Sequence, residues 1–532
     1  MANSTGFIAD LPSLFTDIPG FVADIPSRVD FTSIPVILSS TVAVLAFTSF
    51  IKYVAERQQE KAMGFGHVPT LWQWDPFYGV DAFIAMLLAL KNNRYVPWLD
   101  SLHAKMPKTF ALTFLGGRQI WTIEPENLKT VANNLADFQV GPIRYNSKAG
   151  QPFAEKGIVG ADGKDWEFAR ALVKPFFMRE WYANTERMEP FAERFFAGIP
   201  ADGETFDMFP HLRTWSLNLN LQFLFGDYSD IVTEEETNKT TDAFITGLAY
   251  ARIRLLLHRV LWLFPWKTWY KVVGTIHSYV NKHIAKARAE LKEREERISK
   301  GLPVGPERRD VCWHMVRELP NDDEVRSHLC LLFVPNNETT LIFLSNVMWN
   351  LARQPEIWER LRQEVKGKEL NFNSLRSMKL LQNVLTEAHR ITPVGLFIAR
   401  AAVRDTTLPR GGGPKGDQPV RVRKGNIVQI NKAVMYKDPD YWGDDALEFN
   451  PDRFDKMRPG LSLTPYNTGP RRCPGEMMTM NECGYMVARM AQTYKRLECR
   501  DPTPFVGVFR IGQLNKNGCQ VAVYREQLLH GG

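Results

Sequence analysis

The sequence predicts a mainly α-helical fold with a small β portion and an N-terminal transmembrane helix. Three observations carry this reading. Apolar residues recur at helical spacing along most of the chain, only a few short runs alternate as strands do, and the segment from Ile34 to Ile51 is uncharged throughout. With 532 residues, 44% hydrophobic and 23% charged, the chain can bury a large core and has none of the bias of disorder.

The segment IPVILSSTVAVLAFTSFI, at about 1.5 Å rise per residue, nearly spans a bilayer core of roughly 30 Å. Lys52, Arg57 and Lys61 follow it, whereas only Arg28 precedes it among Asp10, Asp17, Asp24 and Asp30. The charge bias predicts residues 1–33 on the lumenal side, an anchor over 34–51, a linker over 52–68 and a cytosolic domain over 69–532. FIADLP, FTDIP and FVADIP form a short repeat ahead of the anchor, and GFGHVPTLWQWDP (64–76) reads as a hinge against the membrane.

Helical spacing is clear in DAFIAMLLALKNN, PENLKTVANNLADF, DWEFARALVKPFF, EPFAERFFAG, in a run from about Ser278 to Lys300 and in another from Asp322 to Arg353. The stretches 111–123, 420–430 and 519–524 read as strands with turn residues between them. GLPVGPERRD and LPRGGGPKGDQP read as loops, too short to divide domains, so one large domain is expected.

Charge and cysteine usage exclude several functions. The excess of 66 Lys+Arg over 59 Asp+Glu gives +7 without a basic stripe, a poor match for nucleic acid. Cysteines at 312, 330, 473, 483, 499 and 519 show neither Cys-x-x-Cys pairs nor zinc spacing, which argues for a reducing compartment.

One cysteine stands apart, in TPYNTGPRRCPGE (464–476). Gly469 and Gly475 allow close backbone approach, Pro470 and Pro474 stiffen the turn, and the helix expected from EMMTMNECGYMVARM aims its positive end at Cys473. Arg471 and Arg472 add positive field. The arrangement suits a cysteine that stays ionised as a metal ligand.

Tyr466-x-x-Gly469-x-Arg471-x-Cys473-x-Gly475 resembles the haem-binding signature of the cytochrome P-450 superfamily, with Tyr466 where phenylalanine is usual. The resemblance implies heme b, with Cys473 as the thiolate ligand of its iron. The Tyr466 hydroxyl then needs a partner. Glu387 and Arg390, three apart on one helix face, resemble the family's Glu-x-x-Arg pair, and Arg453 in FNPDRF resembles the third member of that buried structural triad. Trp166 and Arg170 in DWEFAR, Arg400 and Arg471 are similar to residues that hold the haem propionates, for which forked guanidinium donors are suited.

Pro335 to Thr340 is similar to the family's oxygen-activation motif, with Glu338 and Thr339 retained. In that family the acid relays protons, and the threonine hydroxyl helps the distal oxygen atom leave as water. Pro335 and Asn336 depart from the pattern. Proline cannot donate to the Leu331 carbonyl, which predicts a kink or opening of the helix. Phe333, Pro335, Asn336, Val394, Leu396, Phe397, Phe505, Val508 and Phe509 fall in segments that line the family's substrate pocket, implying a hydrophobic substrate.

The resemblance extends from about Pro69 to Tyr524 and is most like the fungal branch of alkane and fatty-acid hydroxylases, which also supplies enzymes of secondary metabolism. It implies a monooxygenase in the endoplasmic reticulum membrane that uses dioxygen and receives electrons from a separate NADPH-cytochrome P-450 reductase. The departures at 335 and 336 leave two alternatives: an isomerase or dehydratase of the same fold that consumes no dioxygen, and a haem-bearing binding protein without turnover.

Overall fold

A computed structural model of the chain describes residues 57–144, 148–155, 157–226, 231–258 and 261–525, with single positions between 44 and 55. The expected lumenal segment, and the expected anchor apart from Val44, Phe47, Thr48 and Ile51, lie outside the described residues. Among the described residues no helix is long and apolar enough to cross a membrane.

Eleven of the helices organise the fold. They are α1 (Val80–Lys91), α2 (Tyr95–His103), α3 (Gly163–Val173), α4 (Met208–Phe225), α5 (Glu234–Leu256), α6 (Lys267–Ser299), α7 (Val311–Glu318), α8 (Asp322–Leu351), α9 (Pro355–Val365), α10 (Lys379–Ile391) and α11 (Glu476–Thr493). The helix α8 sits at the centre, and residues 341–348 of it are buried without a break, as expected of a helix that neighbours surround. The Asn321 side chain caps it by accepting from Asp323 N and Glu324 N. Its second half packs Phe343, Leu344 and Val347 against Trp215 of α4, Leu381 of α10 and Met486 of α11 in one core. Its first half packs Val325, Leu329 and Phe333 against α4, α6 and α7 in another. Pro335 lies inside α8, and the helix continues past it to Leu351.

The β portion is a sheet of five strands in the order β1-β2-β7-β4-β3, where β1 is Thr109–Phe114, β2 Gly117–Thr122, β3 Phe138–Gln139, β4 Ile398–Ala402 and β7 Ile427–Ile430. The stretch 111–123 folds as expected, into the antiparallel hairpin β1–β2. Its two-residue turn places both Leu115 (φ 47°) and Gly116 (φ 72°) in the left-handed region, the geometry that matches strand twist. The stretch 420–430 holds the end of β6 (Gln418–Val422) and then β7. Three further strands, β8 (Tyr494–Cys499), β9 (Gly507–Phe509) and β10 (Gln513–Asn515), precede the C-terminal β11 (Gln520–Arg525), which begins one residue after the expected 519–524 strand does and ends one residue beyond it.

LPRGGGPKGDQP corrects the sequence reading. Instead of a loop it is mostly a hairpin, with β5 (Thr406–Gly412) paired to β6 and the register broken between Leu408 and Gly412. The glycines that suggest a loop serve a crossing: Gly66 N donates to the Pro419 carbonyl at 2.9 Å and Gly413 N to the His67 carbonyl at 3.0 Å. A Cβ on Gly66 would lie 2.4 Å from Gly413 N, so the two backbones meet only because side chains are absent.

Candidate functional site

The loop before α11 is shaped by its backbone. Cys473 N donates to the Tyr466 carbonyl at 2.9 Å and Arg472 N to the Gly469 carbonyl at 3.0 Å, folding the segment into a tight bend. Asn467 (φ 64°) and Gly469 (φ 73°) supply the left-handed residues. A Cβ on Gly469 would stand 2.6 Å from the Ala132 carbonyl oxygen, so this loop rests directly on the helix Pro125–Asn133. Gly469→Ala is therefore expected to cost roughly 1–3 kcal/mol and to displace the loop, read as a lower melting temperature together with reduced haem content.

The Cys473 thiol borders accessible space yet is deeply enclosed by protein. Burial pushes its pKa up; the Gly475 N–H, Arg170 and Lys432 oppose that, and Glu476 adds to it. The helix-end and arginine effects read from the sequence thus do not by themselves keep this thiol ionised. A metal cation would, since a coordinating thiol is deprotonated outright.

Lys432, which the sequence reading missed, is a buried lysine beneath this loop. Its Nζ donates to the Thr464 and Pro465 carbonyls at 3.2 and 3.3 Å and to Asn467 Oδ1 at 3.0 Å. Burial and Arg400 lower its pKa to about 7, while Cys473 raises it. Tyr466 finds its partner in His389 of α10, with the Tyr466 hydroxyl 2.8 Å from His389 Nε2. The His389 ring stacks flat on Phe343 at 3.6 Å, and burial followed by Lys432 lowers its pKa to about 3, so the imidazole is neutral. Burial likewise raises the Tyr466 pKa well above its usual value. The ligand loop is therefore pinned to the core by a neutral hydrogen bond.

Cations gather beside it. Arg471 donates to Asp162 Oδ1 at 2.6 Å and to the Ala161 carbonyl, and its guanidinium lies 4.8 Å over the Trp166 ring. Arg170, one turn along α3 from Trp166, donates to the Arg472 carbonyl at 2.9 Å. Arg400 on β4 donates to the Ala399 carbonyl, but its buried Nε has no partner. Burial, then Arg144 and Arg471, lower the Arg400 pKa to about 9, with Asp162 opposing; Arg471 is pulled down to about 10 by burial, against Asp162. Arg144, also missed from sequence, donates to the Val159 carbonyl and feels the Asp162 charge, so three guanidiniums share the field of one carboxylate that Arg471 contacts directly. Such a group calls for further anions, and the two carboxylates of a haem fit it, as the Cys473 thiol fits the iron.

Beneath the loop, Arg390 binds Glu387 through two bonds of 2.8 and 2.7 Å, both side chains fully buried. Arg453 Nε reaches the same carboxylate at 3.1 Å. The remaining Arg390 donors meet the Tyr436, Ala446 and Glu448 carbonyls, so the charges are satisfied and the triad ties α10 to the segment 436–453.

On α8, Thr339 Oγ1 donates to the Pro335 carbonyl, and the buried Glu338 carboxylate accepts from Arg510 Nη1 at 2.9 Å. Asn336 Nδ2 donates to Asn220 Oδ1 of α4 at 2.6 Å, which ties the amide to a neighbouring helix. A cavity of about 490 Å³ lies against this helix, lined by Leu331 and Pro335, by Phe397, Ala399 and Gln429 from the sheet region, and by Phe153, Leu248, Leu255 and Phe509. Arg144 belongs to its wall, linking it to the guanidinium group. Of the residues expected in the pocket, Pro335, Phe397 and Phe509 line this cavity. Phe333 stacks on Phe244 at 3.9 Å, Leu396 is buried in the sheet-side core, Val394 packs at the central core, Phe505 meets Trp349 edge-on and Val508 lies in β9.

Residues 81–507 match the family model for cytochrome P-450. The chain is 48% identical, over 91% of its length and 98% of the relative's, to the cytochrome P-450 monooxygenase iccC of Talaromyces variabilis. It is 48% identical to iliC of a Neonectria species, covering 87% of this chain and 93% of that one, and 43% identical to apdE of Emericella nidulans, covering 91% and 94%. A loop cysteine that borders accessible space, a cation group suited to a dicarboxylate porphyrin and these matches place the chain in the cytochrome P-450 family, the haem-thiolate monooxygenases.

Proposed function

We propose that the chain oxidises an apolar metabolite at the membrane surface, with electrons delivered from NADPH by a separate reductase. The observation that carries the substrate reading is the 490 Å³ cavity beside Pro335, whose wall is mainly aliphatic and aromatic. Haem, when bound, supplies the iron at which dioxygen is reduced and cleaved. Cys473 would hold that iron; Arg400 and Arg471, with Arg144, would hold the carboxylates. Glu338 and Thr339 would deliver protons, the acid from within the helix and the hydroxyl by turning from the Pro335 carbonyl.

Support for membrane attachment comes from the uncharged 34–51 segment and from the surface near α1. Trp72 and Trp74 are 84% and 65% exposed, as is Trp262 at 81%. Exposed tryptophans of this kind suit a headgroup boundary. Support for a separate reductase is that the G-x-G-x-x-G spacing from Gly411 to Gly416 leads into a strand rather than opening a helix, so it lacks the context of a dinucleotide site.

The test is turnover with reductase, NADPH and a panel of apolar candidates, following oxygen consumption and product together. Product formed without oxygen uptake would favour an isomerase or dehydratase instead. Thr339→Ala is expected to lower product formation by roughly a hundredfold while NADPH oxidation continues and hydrogen peroxide accumulates. Unchanged coupling in that variant would remove Thr339 from the proton path.

A further inference from the structure

Two further cations border the apolar cavity: Arg252 of α5 and Arg510, which follows Phe509 at the end of β9. Arg510 is the cation that holds Glu338, through an ion pair in which the carboxylate is the more buried partner. Arg252 donates to the Phe509 carbonyl and its guanidinium lies 5.2 Å over the Phe509 ring. Its buried Nε has no partner. Phe509 in turn stacks on Tyr95 at 5.0 Å and 11°, and Tyr95 also lines the cavity. Adjacent residues of one strand end therefore bring both guanidiniums to the same stretch of wall.

A wholly apolar ligand would desolvate these cations and give nothing back. Burial already pulls the Arg252 pKa down, with Tyr95 opposing. Among the described residues of the wall, Glu155 is the one carboxylate, and Arg252 and Arg510 are the cations brought together at Phe509. Resting on the reading of this cavity as the substrate site, we propose that the substrate carries an anionic oxygen group at one end of its apolar skeleton, and that Arg510, assisted by Arg252, recognises it.

Arg510 is then a shared donor. A guanidinium offers five N–H groups in a planar fork, and Glu338 occupies one of its ends. An entering anion competes with Glu338 for that fork and loosens the acid that the proton path needs. Arg510 thus determines specificity and positions Glu338.

The test uses the full-length, haem-loaded protein and two probes of equal chain length, dodecanoate and dodecan-1-ol. Binding is followed by the shift in haem absorption and by calorimetry, neither of which requires turnover. Dodecanoate is expected to bind roughly tenfold more tightly than the alcohol, the effect of one charge-assisted hydrogen-bonded contact. Arg510→Gln should erase the preference and leave the alcohol's affinity unchanged. Glu338→Gln should move the other way, tightening dodecanoate severalfold because the competitor is gone. Should Arg510→Gln not fold, Arg252→Gln and Glu338→Gln carry the test. Equal affinities in the unaltered protein, or no gain for dodecanoate in Glu338→Gln, would overturn the inference alone. Failure of both probes to bind would overturn the cavity reading and the inference together.

Discussion

Cys473→Ala is expected to abolish the absorption band that thiolate-ligated iron gives when reduced under carbon monoxide, and with it all oxygen-dependent turnover. The reason lies in how little else is at hand. Among the described residues no group of three or more histidines, cysteines or carboxylates stands together to hold a metal. Cys483 is fully buried, with its pKa pushed well above normal by burial and Glu482, so it does not substitute as a thiolate. The loop's shape depends on backbone bonds from residues 472 and 473, which alanine preserves. The variant should therefore stay folded by circular dichroism while losing the band. A band retained at its usual position in Cys473→Ala would refute the ligand assignment.

Glu387→Gln is expected to be the most destabilising single change outside the loop, by about 3–5 kcal/mol, the cost of leaving buried partners of a lost charge uncompensated. Glu387 accepts from Arg390 twice, from Arg453 and from Asn450 N at 2.8 Å. An amide supplies one acceptor oxygen and turns an N–H₂ toward a guanidinium. Both arginines then remain buried with a partner missing. Against a typical domain stability of about 5–15 kcal/mol, this is enough to prevent accumulation of folded protein near body temperature. Denaturant unfolding of the variant measures it. A loss below 1 kcal/mol would mean that the triad is less essential to the fold than its burial suggests.

Much of this site was legible because its chemistry sits in short windows. Cys473 with its glycines, Glu387 with Arg390, and Trp166 with Arg170 are each local patterns. What sequence missed depends on pairing across long separations. The partner of Glu338 is Arg510, 172 positions away, and that of Tyr466 is His389, 77 away. Lys432 gives no local sign of burial, since lysine in sequence reads as surface until the chain closes over it. Apolar residues such as Phe333 and Leu396 look alike whether they face a cavity or a neighbour, because both environments exclude water. The Gly-Gly-Gly run was misread for a related reason: glycine signals both a flexible tip and a close backbone crossing, and only the path of residues 64–68 distinguishes them.

The three guanidiniums that share the field of Asp162, together with the buried Lys432, bear on how this enzyme matures. Like charges held close repel, and a bound porphyrin dicarboxylate would relieve them, so porphyrin availability raises the population of the compact chain by mass action. Newly made polypeptide waiting for its pigment is then the form most open to proteases. Porphyrin supply would therefore bear on the steady-state amount of this enzyme.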